Sequence, residues 1–225
     1  MNEQTMDTLG QHDNGGTDSK FLRIVATVVS YILHPVFMPV LMAWVIYQVS
    51  PVSFVQYEGK ALSMVFIQIA LTTIFFPILV VLLLKGLGFI DSILLRKNKE
   101  RIIPLLATLI CYWWISHVFK NLDAPVILQV LLRGAYWGII VLFMCSIFFK
   151  ISMHTMAAGG MLGVLIVLLI LSPVSMTVPL FIGIVVAGIS GTARMLLGAH
   201  TQFEIWSGYI LGILSMLAAY WYIVL

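Results

Sequence analysis

Charged residues are scarce in this 225-residue chain, at 9% of the sequence against 61% hydrophobic residues. Soluble domains carry about 25% charged residues, so this scarcity excludes a soluble globular protein and indicates an integral membrane protein. The net charge of +3 is small and spread along the chain, which argues against a nucleic-acid partner. Cysteine is also rare. Cys111 and Cys145 lie inside apolar runs without metal-site spacing, and we expect buried, unreactive thiols.

Long apolar stretches fill most of the chain. Because about 20 apolar residues span a bilayer and backbone groups must pair inside it, each stretch is expected to be a helix. The sequence therefore predicts an all-α fold, a polytopic transmembrane helix bundle of six to seven membrane segments. It forms one domain over 21–225 after a disordered polar tail over 1–20. The predicted segments are 21–49, 60–89, 102–119, 126–149, 153–172, 177–197 and 204–225.

Two local features refine this prediction. His34-Pro35 and Pro39 interrupt the first segment, which is either one kinked crossing or two half-helices that form a re-entrant hairpin. Small residues four apart recur late in the chain and predict close helix–helix contacts. These pairs are Gly159 with Gly163, Ala187 with Gly191, and Gly208 with Gly212.

Carboxylates are rare, with nine Asp and Glu in total. Four of them lie in the N-terminal tail: Glu3, Asp7, Asp13 and Asp18. Glu204 is one of the five that remain, and it follows Arg194 and His200 at the boundary between two apolar segments. Charges in hydrocarbon cost about 2.5–3.5 kcal/mol each, so this group indicates a function. The four-residue spacing predicts that His200 and Glu204 share one side of a helix.

Three polar clusters are expected on the same side of the membrane. They occupy 90–101, 149–154 and 194–204, and two predicted crossings separate each from the next. The second and third clusters supply two histidines and a glutamate, and all three clusters supply cations. A metal site would need paired carboxylates or a tighter set of ligands, and a serine hydrolase would need a nucleophile elbow; the sequence offers neither.

Phosphoryl transfer through histidine fits this set of residues. Cations would bind the phosphate oxygens and neutralise developing charge. One histidine would attack phosphorus, a carboxylate would fix its tautomer, and a second histidine would protonate the leaving oxygen.

The pattern resembles the type 2 phosphatidic acid phosphatase superfamily, whose signatures are K-x6-R-P, P-S-G-H and S-R-x5-H-x3-D. Arg194, His200 and Glu204 reproduce the spacing of the third signature, and Gly208 falls where the family often has glycine. Glu204 replaces the family's aspartate, and Ala193 replaces its serine.

The other two signatures are partial. Ser152 and His154 keep the serine and histidine of the second, while Met153 replaces its glycine. Arg101 lies near Pro104 as in the first, but the lysine position holds leucine, so Arg96, Lys97 or Lys99 could supply the second cation. The resemblance covers about 90–208.

The resemblance implies a role for each matching residue. His200 would be the nucleophile that forms a phosphohistidine, Glu204 would bind its other ring nitrogen, and His154 would be the general acid. Phosphate would be bound by Arg194, Arg101, Lys97 and Ser152. No metal and no cofactor is implied.

The expected function is a metal-independent lipid phosphatase in the membrane bilayer. Its substrate would be a lipid phosphate or diphosphate of the undecaprenyl diphosphate, phosphatidic acid, phosphatidylglycerol phosphate or lipid A class. Two alternatives stay open: a catalytically impaired protein that binds lipid phosphates, and a small transporter. The sequence indicates no oligomeric state.

Two arguments about which face of the membrane carries the site point in opposite directions. With a single first crossing, nine of the twelve Lys and Arg lie on the side of the site, and Lys60, Lys120 and Arg133 lie opposite, which favours a cytoplasmic site. The resemblance instead implies a bacterial inner-membrane protein with its site on the periplasmic face, and this is our expectation.

Overall fold

Helices account for nearly all of the described residues. The computed structural model describes 15–92, 98–172 and 175–225, with the backbone alone for 15–19 and 98–101. No strand is formed within these ranges. The helices are α1 (Gly15–Ile32), α2 (Met38–Val49), α3 (Lys60–Ala70), α4 (Phe76–Gly86), α5 (Asn98–Asn121), α6 (Val126–Phe148), α7 (Met153–Leu171), α8 (Thr177–Leu196) and α9 (Gln202–Val224).

Seven helical segments within the described ranges are long and apolar enough to cross a membrane. They match the predicted segments within a few residues, so the predicted all-α transmembrane bundle is confirmed. α1 begins at Gly15, so the end of the segment predicted as a disordered tail is helical, while 1–14 lie outside the described residues. The spans are Lys20–Val49, Lys60–Gly86, Ile102–Asn121, Val126–Phe148, Met153–Leu171, Thr177–Leu196 and Gln202–Val224.

The first span is broken at its proline. α1 ends at Ile32, and a 3-10 turn over Pro35–Phe37 leads into α2. Pro35 has no N–H to continue a helix and disfavours helical backbone at the residue before it, so His34 is extended with φ −66° and ψ 133°. Nδ1 of His34 accepts a hydrogen bond from the N–H of Val36 at 3.3 Å. The side chain of His34 therefore caps the 3-10 turn that follows the break.

The centre of the bundle is α7, the most buried of the spans, and its most extensive partner is α9. Their glycines make this contact possible. A Cβ at Gly212 would overlap the carbonyl oxygen of Met156, and one at Gly159 would overlap that of Tyr209. The two backbones thus touch directly, which confirms the close contacts predicted from the small-residue spacing.

Chain direction brings three helix ends together at one end of the bundle. α8 finishes where α9 starts, and the N–H of Ser152, just before α7, donates to the carbonyl oxygen of Glu204 in the first turn of α9 at 3.3 Å. The second and third polar clusters therefore meet on one side, as predicted.

Candidate active site

A tight turn after α8 positions His200. The N–H of Ala199 donates to the carbonyl of Arg194 at 3.1 Å, and that of Gly198 donates to the carbonyl of Met195 at 2.9 Å. Gly198 has a φ of +61°, in the left-handed region that glycine enters without a steric penalty. The helix therefore stops within one turn of Arg194, and the chain turns back towards the bundle at His200.

The start of α9 supplies the carboxylate. Thr201 is its N-cap residue, and Thr201 and Glu204 form a capping box: the threonine Oγ1 accepts from the N–H of Glu204 at 3.4 Å, and Oε2 of Glu204 accepts from the N–H of Thr201 at 3.4 Å. The same Oε2 lies 2.7 Å from Nδ1 of His200. The two side chains are in contact, but the prediction that they share a helix face is wrong, because His200 precedes the helix.

This contact fixes the tautomer of His200. An ionised carboxylate only accepts hydrogen bonds, so Nδ1 carries the proton and donates it to Glu204, which leaves a lone pair on Nε2. Burial lowers the pKa of His200 to about 4; the bond to Glu204 opposes this shift, and Lys150 and Arg194 add to it. His200 is therefore neutral at pH 7 and down to about pH 5, with an unprotonated nitrogen available for nucleophilic attack.

Ser152 begins α7 as its N-cap. Its Oγ accepts from the N–H of Thr155 at 3.4 Å, and the residue is fully buried. The hydroxyl predicted to bind phosphate thus has a structural role at the helix end. Two residues on, His154 places its ring at the same end of the bundle and within electrostatic range of His200 and Arg194.

Ser30 joins the second histidine to the arginine. Nε2 of His154 lies 3.0 Å from the carbonyl oxygen of Ser30, and Nη1 of Arg194 donates to the Ser30 hydroxyl at 3.3 Å. Ser30 is in the last turn of α1, whose final four carbonyls have no partner inside the helix. A carbonyl only accepts, so Nε2 of His154 carries its proton. The broken first span therefore orients two predicted site residues.

Two further side chains belong to this cluster. The ring of His34 packs edge-on against His154, with centroids 5.4 Å apart, so it lines the cluster. Nζ of Lys150 donates to the carbonyl of Ala199 at 2.8 Å and fixes the turn that carries His200. Ser30 and the contact of Lys150 were not predicted, because no motif covers them. Thr201-x-x-Glu204 is a capping-box pattern and could have placed His200 before the helix.

The first signature is the least described part of the site. Arg101 lies in the first turn of α5, where the backbone alone is described, and Lys97 lies outside the described residues. Leu105, one turn beyond Arg101, belongs to the same buried cluster as Ile151 and Met156. Leu142 of α6 completes this cluster, so the start of α5 lies at the same end of the bundle as the start of α7.

The ligand set in this part of the chain does not suit a metal ion. Among the residues the structure describes, no three His, Cys, Asp or Glu side chains form a group that could hold one. The described site combines a neutral, oriented imidazole with two cations, Arg194 and Lys150, and a second histidine. That combination suits binding of a phosphate and nucleophilic attack on it.

Comparison of this chain with known families, curated proteins and solved structures returns no match.

Proposed function

We propose that this protein is a metal-independent membrane phosphatase of the type 2 phosphatidic acid phosphatase kind, acting on a lipid phosphate or diphosphate. The observation that carries the proposal is the 2.7 Å contact between Nδ1 of His200 and Glu204, made beside Arg194 and His154. It gives a buried imidazole with a free Nε2, next to the cation that a phosphate would need.

The reaction has two steps. Nε2 of His200 attacks phosphorus while the bond to the leaving oxygen breaks, and His154, once it is protonated at Nδ1 as well as Nε2, gives that oxygen the Nδ1 proton. Glu204 stabilises the imidazolium as it forms, and Arg194 neutralises charge on the phosphate oxygens. Water, deprotonated by His154, then attacks the phosphohistidine and releases phosphate. A substrate whose tail stays in the bilayer explains a site at the end of a transmembrane bundle.

Phosphate release from lipids tests this function. Purified protein in micelles with EDTA should release phosphate from at least one of undecaprenyl diphosphate, phosphatidic acid, phosphatidylglycerol phosphate and a lipid A phosphate. The same lipids in protein-free micelles provide the background. If none of the four is hydrolysed above background, the phosphatase proposal is wrong.

A second candidate is a protein that binds lipid phosphates without hydrolysing them. It is favoured by Ser152, whose hydroxyl is buried as a helix cap, and by His154, whose Nε2 is hydrogen-bonded to Ser30. The same panel separates the two, because a binding protein would retain a lipid phosphate through purification and release no phosphate from it.

We propose further that the protein lies in a bacterial inner membrane with its site on the periplasmic face. Gln202 beside the site and Lys60 at the opposite end are both exposed. In a background with Cys111 and Cys145 changed to serine, an impermeant maleimide applied to intact spheroplasts should label Gln202→Cys but not Lys60→Cys. The reverse pattern would place the site on the cytoplasmic face.

A further inference from the structure

A polar cavity of about 240 Å³ lies at the end of the bundle opposite His200. It opens between the end of α5, the first half of α6 and the end of α9. One water takes about 30 Å³, so the cavity has room for a larger polar group. Its lining residues are Ser116, Lys120, Gln129, Arg133, Tyr222 and Ile223.

The helix dipole stabilises one of the two cations of this cavity and not the other. Lys120 is in the last turn of α5, where the helix dipole favours a positive charge. Arg133 is the eighth residue of α6, about 10 Å along the helix from its start, where the dipole gives it no such support. A charge at that depth is costly unless it has a partner or a polar cavity.

Both cations converge on one aromatic ring. Nζ of Lys120 and Cζ of Arg133 each lie 5.9 Å from the centroid of Tyr222. No carboxylate lines the cavity, and within the described part of the chain neither cation has an acidic side chain at ion-pair distance. Two cations held against one ring, with no described acidic side chain near either of them, are suitable partners for a bound anion.

The other polar side chains of the cavity, Ser116 and Gln129, are uncharged and cannot serve as that anion. Oγ of Ser116 donates to the carbonyl of Trp113 at 3.1 Å, and Nε2 of Gln129 donates to the carbonyl of Ala124 at 2.6 Å. The cavity therefore offers a planar guanidinium and an ammonium. A guanidinium can bind two phosphate oxygens at once, and an ammonium adds a point charge.

We propose that this cavity is a second anion site, which binds a phosphate group at the membrane face opposite His200. The phosphate would come from the headgroup of an anionic phospholipid or from inorganic phosphate. Tyr222 is 55% exposed at the cavity, so acyl chains attached to a bound headgroup could continue along the outside of the bundle. The proposal does not depend on catalysis at His200.

Lipid retention in native mass spectrometry tests the lipid source. Full-length protein is mixed with dioleoyl phosphatidylglycerol or dioleoyl phosphatidylcholine, neither of which carries a phosphomonoester. Phosphatidylglycerol should bind more tightly, and Arg133→Gln or Lys120→Gln should weaken its binding at least about tenfold through the loss of charge-assisted hydrogen bonds. Arg133→Lys should retain part of the affinity. Because Lys120 is exposed, its variant should fold even where Arg133→Gln does not.

A control and a second probe complete the test. Lys60→Gln removes an exposed lysine at the same end of the bundle but outside the cavity, and it should bind phosphatidylglycerol as the wild type does. If inorganic phosphate alone raises the melting temperature of the wild type but not of Lys120→Gln, the source is soluble. Equal retention of both lipids, with no phosphate effect or the same one in every variant, would overturn the proposal.

Discussion

Alanine at position 200 is expected to lower kcat for release of phosphate from the lipid substrate about 10³-fold or more. His200 is the one described histidine whose Nδ1 is held by a carboxylate, so its removal takes away the only nitrogen oriented for attack among the described side chains. The variant should also lose the acid-labile phosphoenzyme that wild-type protein forms during turnover. Both effects can be measured with substrate labelled with ³²P at the phosphate, and the phosphoenzyme is trapped with an alkaline detergent quench because acid hydrolyses phosphohistidine.

His117→Ala provides a matched control for this variant. His117 is exposed near the other end of α5, where its ring stacks on Trp113 with centroids 5.5 Å apart and its Nε2 contacts Asn121 at 3.1 Å. Its replacement also removes an imidazole but should leave kcat within about twofold, since surface changes away from a site have small effects. Full turnover and labelling of His200→Ala would mean that another residue is the nucleophile.

Alanine at position 212 is expected to destabilise the whole bundle. Its Cβ would overlap the carbonyl oxygen of Met156 and approach the backbone of Gly160, and backbone atoms cannot move aside as a flexible side chain can. We expect a loss of about 3 kcal/mol in the free energy of unfolding, at the upper end for overpacking. For a chain of this size that is a fall of about 6–12 °C in the melting temperature in micelles.

Gly188→Ala is the control for this substitution. Gly188 lies in the transmembrane helix α8, and a Cβ added there meets nothing within 4 Å. Its melting temperature should stay the same or rise slightly, because alanine is the better helix former. A Gly212→Ala protein as stable as the wild type would mean that α7 and α9 are not in backbone contact. Where the variant survives purification, its activity should also fall, since α7 carries His154 and α9 carries Glu204.

The fold followed from the sequence because a bilayer imposes a length on every crossing. Apolar runs of about 20 residues have few alternatives to a spanning helix, so their positions were predicted closely. The same counting placed the polar clusters of 149–154 and 194–204 on one side. The close approach of α7 and α9 could also be predicted from the sequence, since Gly159 and Gly212 have no side chain to hold the helices apart.

The details of the site were less accessible, because they depend on where helices end. A spacing of four residues has one geometry inside a helix and another across its start, and His200 precedes α9. Lys150 could be assigned to the correct side, but its bond to a backbone carbonyl leaves no pattern in the sequence. The family resemblance predicted that Ser152 binds phosphate. In the folded chain its hydroxyl accepts a hydrogen bond from the first turn of α7.

The bond between His154 and Ser30 has a consequence for mutational scanning. Its acceptor is a main-chain carbonyl, which every amino acid supplies, so substitution of Ser30 would remove the contact with Arg194 and leave the one with His154 in place. The carbonyl is free of α1 because the helix stops before Pro35. In a scan of side chains along the first span, the position of His154 should therefore depend on Pro35 and be insensitive to the side chain at position 30.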